Sequence, residues 1–329
     1  MKKSFLPYKN FYKANLHCHS CLSDGTFTPA ELKEFYKGQG YSVLAITDHE
    51  GLFYHSELDD EDFITLAGAE FEYNDVVSDD FYDWRVTHIC VIKKEPSEIY
   101  QLGFDPEYDH IKFNWLHNEW RDRIVSKGEI IPKIYSPENI NSMIKRYRDA
   151  GFLVSYNHPK WSMEGYREYS QYRGMNFMEI YNHGTYLEGH PEKNGDVYDE
   201  LLRLGQRVFP IAADDNHTAD NMFGGFVFVN APTLEYTAIT AALERGEFYA
   251  STGATLSVVS VCDGVFSVES EDDISEIRFI TDRRHVARVT GAKRADFILS
   301  KKDGYVRAEL YKSDGTAAYT RAYFKDELN

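Results

Sequence analysis

The residues in this chain that could do chemistry are histidines and carboxylates, and they recur at comparable positions. The stretch NLHCHSCLSDGTFTP, residues 15–29, carries His17, His19 and Asp24. TDH brings Asp48 and His49, GAE brings Glu70, THI brings His88, NHP brings His158, and DDNH brings Asp214, Asp215 and His217. Each group closes or sits within a short apolar run. Imidazole and carboxylate without thiolate is a ligand set that suits Zn²⁺, Mn²⁺ or Fe²⁺. A carboxylate such as Glu70 can bridge two cations, and two ions about 3.5–4 Å apart activate water and neutralise charge on a phosphoryl group.

Spacing sharpens this reading. Residues two apart in a strand share a face, so His17 and His19 co-point, as do Asp215 and His217. Cys18 then faces the other way. CHSC, residues 18–21, is formally a C-x-x-C, but the geometry that unites the histidines separates Cys18 from them. The two remaining cysteines, Cys90 and Cys262, make no second such pair, so Cys18 reads as a small core residue. Taken singly, each histidine is more often a hydrogen-bonded histidine than a ligand. Six of them in company with Asp24, Glu70 and Asp215 reverse that judgement. The other six, His55, His110, His117, His183, His190 and His285, have no such spacing and default to surface or loop. Two residues are candidates for substrate contact against that default: Lys160, directly after NHP, and His183, just after the apolar run MEIYN. Glu179 and Asn182 lie near the same end of that run.

Short apolar runs alternate with helical patterns and would position these groups. ANLHCHS, YSVLAITDHE, FITLAGAEFEY, VTHICVI, FLVSYNHP, GMNFMEIYN and QRVFPIAADDNH read as strands. The helices between them carry their own punctuation. Thr28 and Ser136 are N-caps with Pro29 and Pro137 in the first turn, and Gly40 and Gly151 follow the ends. Such alternation predicts a parallel α/β fold of barrel-like closure, in which the carboxyl ends of the strands converge on one mouth. Residues 92–135 fit no clean pattern and read as an insertion. After about residue 253 the texture changes to short alternating runs split by DG, KSDG and TGAK, an antiparallel β pattern. The expected division is therefore 1–253 and 254–329.

Bulk properties bound the function. The chain has 329 residues, 43% of them hydrophobic, and a net charge of −17. That surface repels long nucleic acid and anionic membrane, while metal ions could still make one site locally positive. No basic stripe is visible. Four scattered cysteines, no apolar run of spanning length and no secretory leader lead us to expect a cytoplasmic setting.

In their order, LHCHSCLSDG, TDH, GAE, THI, NHP and DDNH resemble the polymerase and histidinol phosphatase, or PHP, family. The resemblance spans residues 15–217 and implies a distorted (β/α)7 barrel holding two or three divalent metals (Zn, Mn or Fe). One would sit on His17, His19, Glu70 and Asp215. A second would share Glu70 and take His88 and His158. A third would use Asp24, His49 and His217. Asp48 would orient a ligand histidine from behind, and Asp214 would be structural. GEFYASTG, residues 246–253, would close the barrel domain and bring Ser251 or Thr252 near phosphate. In that family a hydroxide held between metals attacks phosphorus in line. The expected activity is thus a metal-dependent phosphoesterase on a small phosphomonoester, such as a nucleotide or sugar phosphate. The alternatives are an oligonucleotide phosphodiesterase, a C–N hydrolase using the same centre, and a non-catalytic metal- or sugar-binding module.

Overall fold

Seven apolar runs become adjacent strands of one sheet. The computed structural model describes residues 2–105, 107, 108 and 118–328, so His110 and His117 lie outside the described residues. The strands are β1 (Phe11–Asn15), β2 (Val43–Ile46), β3 (Ile64–Asp75), β4 (Arg85–Lys93), β5 (Phe152–Tyr156), β6 (Phe177–Asn182) and β7 (Phe209–Ala213), and they lie side by side in that order. β1, β2 and β3 pair in parallel, as do β5, β6 and β7. β4 is antiparallel to both its neighbours, so the sheet is not all-parallel as expected. The reason is local: residues 76–84 are too few for a crossover helix, and the chain turns straight back. β3 is also longer than its apolar pattern suggested, so Glu70 lies in mid-strand, not at its end.

The helices form where their caps and faces predict. α1 (Pro29–Gly38) starts on Thr28, whose side chain accepts from the Glu31 amide, while the Thr28 amide donates to Glu31 Oε2 at 2.9 Å. α2 (Pro137–Asp149) starts on Ser136 and buries Ile140, Met143, Ile144 and Tyr147, one face of a 3.6-residue period. α3 (Gly195–Arg203) and α4 (Tyr236–Arg245) follow, and Gly246 ends α4 in the left-handed region at φ 69°.

β8 (Phe226–Asn230) and β9 (Phe248–Ser251) extend the sheet antiparallel from β1. At the other edge β7 curls back to lie near β8 and β9 without a ladder between them. Past the strand ends, β1 and β7 are linked by a single parallel bridge, Cys18 to Asn216. The Asp215 amide donates to the His17 carbonyl at 3.0 Å and the His19 amide to the Asn216 carbonyl at 3.2 Å. The strand ladders of the described residues therefore do not close into the expected seven-stranded ring, and the fold is a mixed α/β sheet curled around its mouth.

Gln101–Leu102 and Ser126–Lys127 form a small parallel pair of their own, and seven later strands are antiparallel: β10 (Val258–Cys262), β11 (Val265–Glu269), β12 (Ile274–Thr281), β13 (Ala287–Thr290), β14 (Arg294–Ile298), β15 (Tyr305–Lys312) and β16 (Ala317–Tyr319). β10, β11 and β14 join Lys3–Ser4 in a separate four-stranded sheet. β16, β15, β12 and β13 continue the main sheet, because β16 pairs with β9. Val259, Phe266 and Val268 share one core with Ile277, Phe279 and Leu310 between the two sheets. No helix among the described residues is long and apolar enough to cross a membrane.

One buried charge ties the late strands to the earlier helices. Arg307 on β15 is 1% exposed, donates from Nε to Asp199 of α3 at 2.7 Å and from Nη1 to Glu309 at 2.6 Å. Removing one partner of such a group leaves an uncompensated buried charge. Arg307→Leu is expected to lower unfolding stability by about 3 kcal/mol, read from the denaturant midpoint; a loss under about 1 kcal/mol would show the pair to be dispensable.

Candidate metal centre

The chain beyond β1 stays extended, so His17 and His19 project together as the alternation requires. Their Nε2 atoms lie 3.1 Å apart, and Cys18 packs on the opposite side with Leu32, Tyr36 and Phe226. Between the two rings stand two carboxylates. His17 Nε2 is 3.2 Å from Glu70 Oε1 and 3.1 Å from Asp215 Oδ1. His19 Nε2 is 3.3 Å from Glu70 Oε2 and 3.0 Å from Asp215 Oδ1.

Two further groups share these residues. On the inner side, Glu70 Oε1 is 3.3 Å from His88 Nδ1 and 3.4 Å from His158 Nε2. On the outer side, Asp24 Oδ2 is 3.6 Å from His49 Nε2 and 3.3 Å from His217 Nε2. All nine residues carried by the six motifs thus come together. The grouping differs in detail from the expected sets: His19 joins Asp24, His49 and His217, and His49 also reaches Glu70 Oε2 at 3.5 Å.

The donor chemistry of this cluster fits divalent cations. His17 Nδ1 lies 2.7 Å from Glu179 Oε1, an acceptor that favours a proton on Nδ1 and aims Nε2 at the carboxylates. Glu70 Oε2, His19 Nδ1 and His88 Nε2 are buried without a hydrogen-bond partner, a costly state for polar atoms unless a cation fills the gap. No lysine or arginine lines the cavity among the described residues. Burial alone would raise the carboxyls of Glu70, Asp215 and Asp24, yet the surrounding imidazoles hold all three below the usual range. Burial alone would likewise discharge His17 and His19, but Asp215 and Glu70 outweigh it and push both up. Acids and imidazoles in this well thus compensate one another's charge, and a cation would take the place of the protons they share.

The well opens into a cavity of about 230 Å³ lined by Asp24, His49, Glu70, His88, His158, Asp215 and His217. Phe81, Tyr82 and Trp161 form an aromatic side to it, and Tyr82 is 85% exposed. Nothing in the sequence pattern marked these rings. Backbone strain also gathers here: Asp215 has φ 51° and His158 φ 21°. Pro159 therefore does not hold His158 extended, as a residue before proline usually is; Glu179 Oε2 accepts from the His158 amide at 2.8 Å and fixes it instead.

Several expected roles move. Among the described residues the Asp48 carboxylate makes no hydrogen bond or ion pair with a histidine. It accepts from the Ser20 amide at 2.8 Å and from the Ser20 and Ser23 hydroxyls at 2.7 Å each, which fastens the loop from His19 to Asp24. The orienting carboxylate is Glu179, and Asn182 Nδ2 braces it at 2.9 Å while reaching Asp215 Oδ2 at 3.1 Å. The visible signal was an acid inside the apolar run MEIYN. Asp214 is structural as expected, accepting from the amides of Phe223, Gly224 and Gly225 and from Tyr36 Oη. Lys160 turns away from the cavity to Asp196 Oδ2 at 2.8 Å. His183 pairs with Tyr181 Oη at 2.8 Å outside the cavity lining. Ser251 Oγ donates to the Ala254 carbonyl at 2.6 Å, and Thr252 pairs with Ala317, so neither reaches the site.

No family model matches the chain. Among curated proteins, a 5'-3' exoribonuclease of Haemophilus influenzae is 50% identical over 38 residues, 12% of this chain and 14% of that protein. Among solved structures, the chain is similar to a two-domain protein containing a predicted PHP-like metal-dependent phosphoesterase from Bacteroides vulgatus, at 14% identity and a TM-score of 0.45 over 95% of both chains. It is also similar to an amidohydrolase from Chromobacterium violaceum with bound sulfate and no metal, at 16% identity and a TM-score of 0.38, over 63% of this chain and 88% of that one. The chain resembles PHP-like proteins in its motifs.

Glu179→Gln keeps every candidate ligand but removes the anion behind His17. It is expected to weaken metal affinity by about 10- to 100-fold with the melting curve little changed, as read by titration against a competing chelator. Lys160→Ala is expected to leave metal affinity unaltered in the same titration.

Proposed function

We propose that this chain is a metal-dependent phosphoesterase that hydrolyses a small phosphomonoester, such as a nucleotide or sugar phosphate. One observation carries the proposal: Glu70 and Asp215 converge on His17 and His19, with each Nε2 within 3.3 Å of both carboxylates. We read residues 1–253 as the hydrolase unit, a distorted seven-stranded barrel whose first and last strands meet at Cys18 and Asn216, and 254–329 as an appended β unit of a cytoplasmic protein.

His17, His19, Glu70 and Asp215 would hold one divalent cation, Glu70 with His88 and His158 a second, and Asp24, His49 and His217 a third, drawn from Zn, Mn or Fe. Bound there, such ions supply Lewis acidity and lower the pKa of water for attack on phosphorus. The chain's own residues do the rest. Glu179 keeps the His17 ring aimed at the carboxylates. Asp48 holds the loop that carries Asp24. The absence of Lys and Arg from the cavity lining among the described residues leaves neutralisation of the phosphate charge to the cations. Phe81, Tyr82 and Trp161 give the organic part of the substrate an apolar wall and thin the water around the reacting bond.

A second reading is a phosphodiesterase acting on short oligonucleotides. The exposed Tyr82 ring beside Phe81 favours it, since bases stack on such surfaces, and so does the local match to the exoribonuclease.

The test is elemental analysis of protein purified without chelator, followed by phosphate release from a panel of monoesters and diesters with and without Mn²⁺. Two or three metals per chain and turnover of one monoester class are expected. Asp215→Ala should lose metal and nearly all turnover, whereas Cys21→Ser should keep both. Metal without any phosphate release would reject the phosphoesterase in favour of C–N hydrolysis or binding alone. No metal even after Mn²⁺ would reject the centre itself.

A further inference from the structure

The sequence shows no basic stripe, yet the fold assembles one basic groove on a strongly acidic protein. It lies between α3 and the outer part of β12 and β13, has a volume of about 640 Å³, and shares no lining residue with the metal cavity. Eight lysines and arginines line it against three carboxylates, Asp196, Asp199 and Glu309, a local balance of +5 in a chain of −17. Those three carboxylates are already engaged: Asp196 by Lys160 at 2.8 Å, and Asp199 and Glu309 by the buried Arg307 at 2.7 and 2.6 Å. Six cations are left, contributed by segments far apart in sequence: Lys193, Arg203 at the end of α3, Arg278, Arg283, Arg284 and Arg288.

Their pairing is incomplete. Arg278 and Arg288 share Glu276 at 2.8 and 3.4 Å, and Arg283 approaches Asp303 only at 3.9 Å. Lys193, Arg203 and Arg284 have no carboxylate within 4.0 Å among the described residues; Lys193 instead stands 5.0 Å over the Tyr186 ring. Like charges gathered this way repel, a cost that a bound anion removes. Guanidinium groups match phosphate oxygens in planar, forked geometry. The floor is apolar, with Ile180, Ile280 and Val286, and the Arg278 guanidinium lies 4.4 Å over the Tyr311 ring beside it.

We propose that this groove is a binding site for a small molecule carrying two or more phosphates, separate from the metal centre. Its bounded volume suits a ligand of nucleotide size. The chain's net charge of −17 opposes a long polyanion, which would extend beyond this patch over an acidic protein.

The test is calorimetric titration of the metal-loaded protein with magnesium-saturated inorganic tripolyphosphate at low and near-physiological salt. Three proteins are compared: the unaltered chain, the double variant Arg203→Ala/Arg284→Ala, and the control Lys127→Ala/Lys145→Ala, which removes two exposed cations elsewhere. Arg203 and Arg284 are exposed, so the fold should survive, as melting curves and metal content will check. Loss of the two arginines is expected to weaken binding by about tenfold or more, with the control within about twofold. Any tripolyphosphate held at the metal centre is common to all three proteins and cancels in this comparison. Equal affinity in all three would overturn the proposal. So would arginine-dependent binding of a single-stranded oligonucleotide with none for tripolyphosphate, which would make the groove a nucleic-acid track.

Discussion

The carboxylate of Glu70 is the constraint around which the rest of the molecule is arranged. It is 1% exposed, and five imidazoles, those of His17, His19, His49, His88 and His158, lie within 3.5 Å of its oxygens. One neutral donor, Asn157 Nδ2 at 2.6 Å, completes its surroundings. An ionised carboxylate in such a place is costly unless positive charge meets it. Strand order supplies the histidines. β3 lies between β2 and β4, with β1 and β5 one strand further out on either side, and each of these four brings at least one imidazole to the same end. The reversal of β4 follows the same need: running backward, it places His88 opposite Glu72, level with the mouth, which a parallel strand of the same sequence would not do.

Holding this cluster takes a second layer that is itself charged and fully engaged. Glu179 serves His17 with one oxygen and the His158 amide with the other, so one carboxylate sets both a ring orientation and a strained backbone. Asp214 takes three consecutive amides from residues 223–225, which anchors the chain just after Asp215. Gly184 lies so close that a Cβ there would stand 2.8 Å from the Asp215 carbonyl oxygen, so the turn after β6 and the Asp215 turn can approach only because this residue is glycine. The positive φ of Asp215 is the local cost of aiming its side chain at His17 and His19, and the layer beneath offsets it.

Much of the centre was legible because it depends on short-range rules. The i, i+2 alternation placed His17 and His19 together and put Cys18 in the core. Thr28 and Ser136 started their helices, and Gly40 and Gly151 follow the ends. The features that were not legible depend on relations between distant segments. A buried strand reads the same whichever way it runs, so VTHICVI gave no sign of its direction; only the brevity of residues 76–84 did. Lys160 and His183 were chosen by adjacency to the site in sequence, but adjacency does not set where a side chain turns, and Asp196 and Tyr181 captured them. Ring closure depends on whether β7 forms a ladder with β1, and no residue pattern records that the two meet only past their ends, at the single bridge from Cys18 to Asn216. The arginines from α3, β12 and β13 are scattered over nearly 90 positions, from 203 to 288, and only the pairing of β12 with β13 and the packing of α3 beside them make a patch.

Charge is thus sorted within the molecule in a way its total conceals. A net charge of −17 disfavours phosphates on balance. The metal cavity escapes that rule only with divalent ions in place, because its own side chains are imidazoles and acids. A vacant centre presents an anionic phosphate with Glu70, Asp215 and Asp24; a loaded one reverses the sign of the field over a few ångströms. On the proposed function, substrate entry would be coupled to metal loading by electrostatics, with no moving part required. The basic groove has no such dependence, since its guanidinium groups are permanently charged. Under the two proposals, the sites would differ in what draws an anion: the metal centre would attract one only with its ions bound, whereas the guanidinium groups of the groove carry their charge permanently.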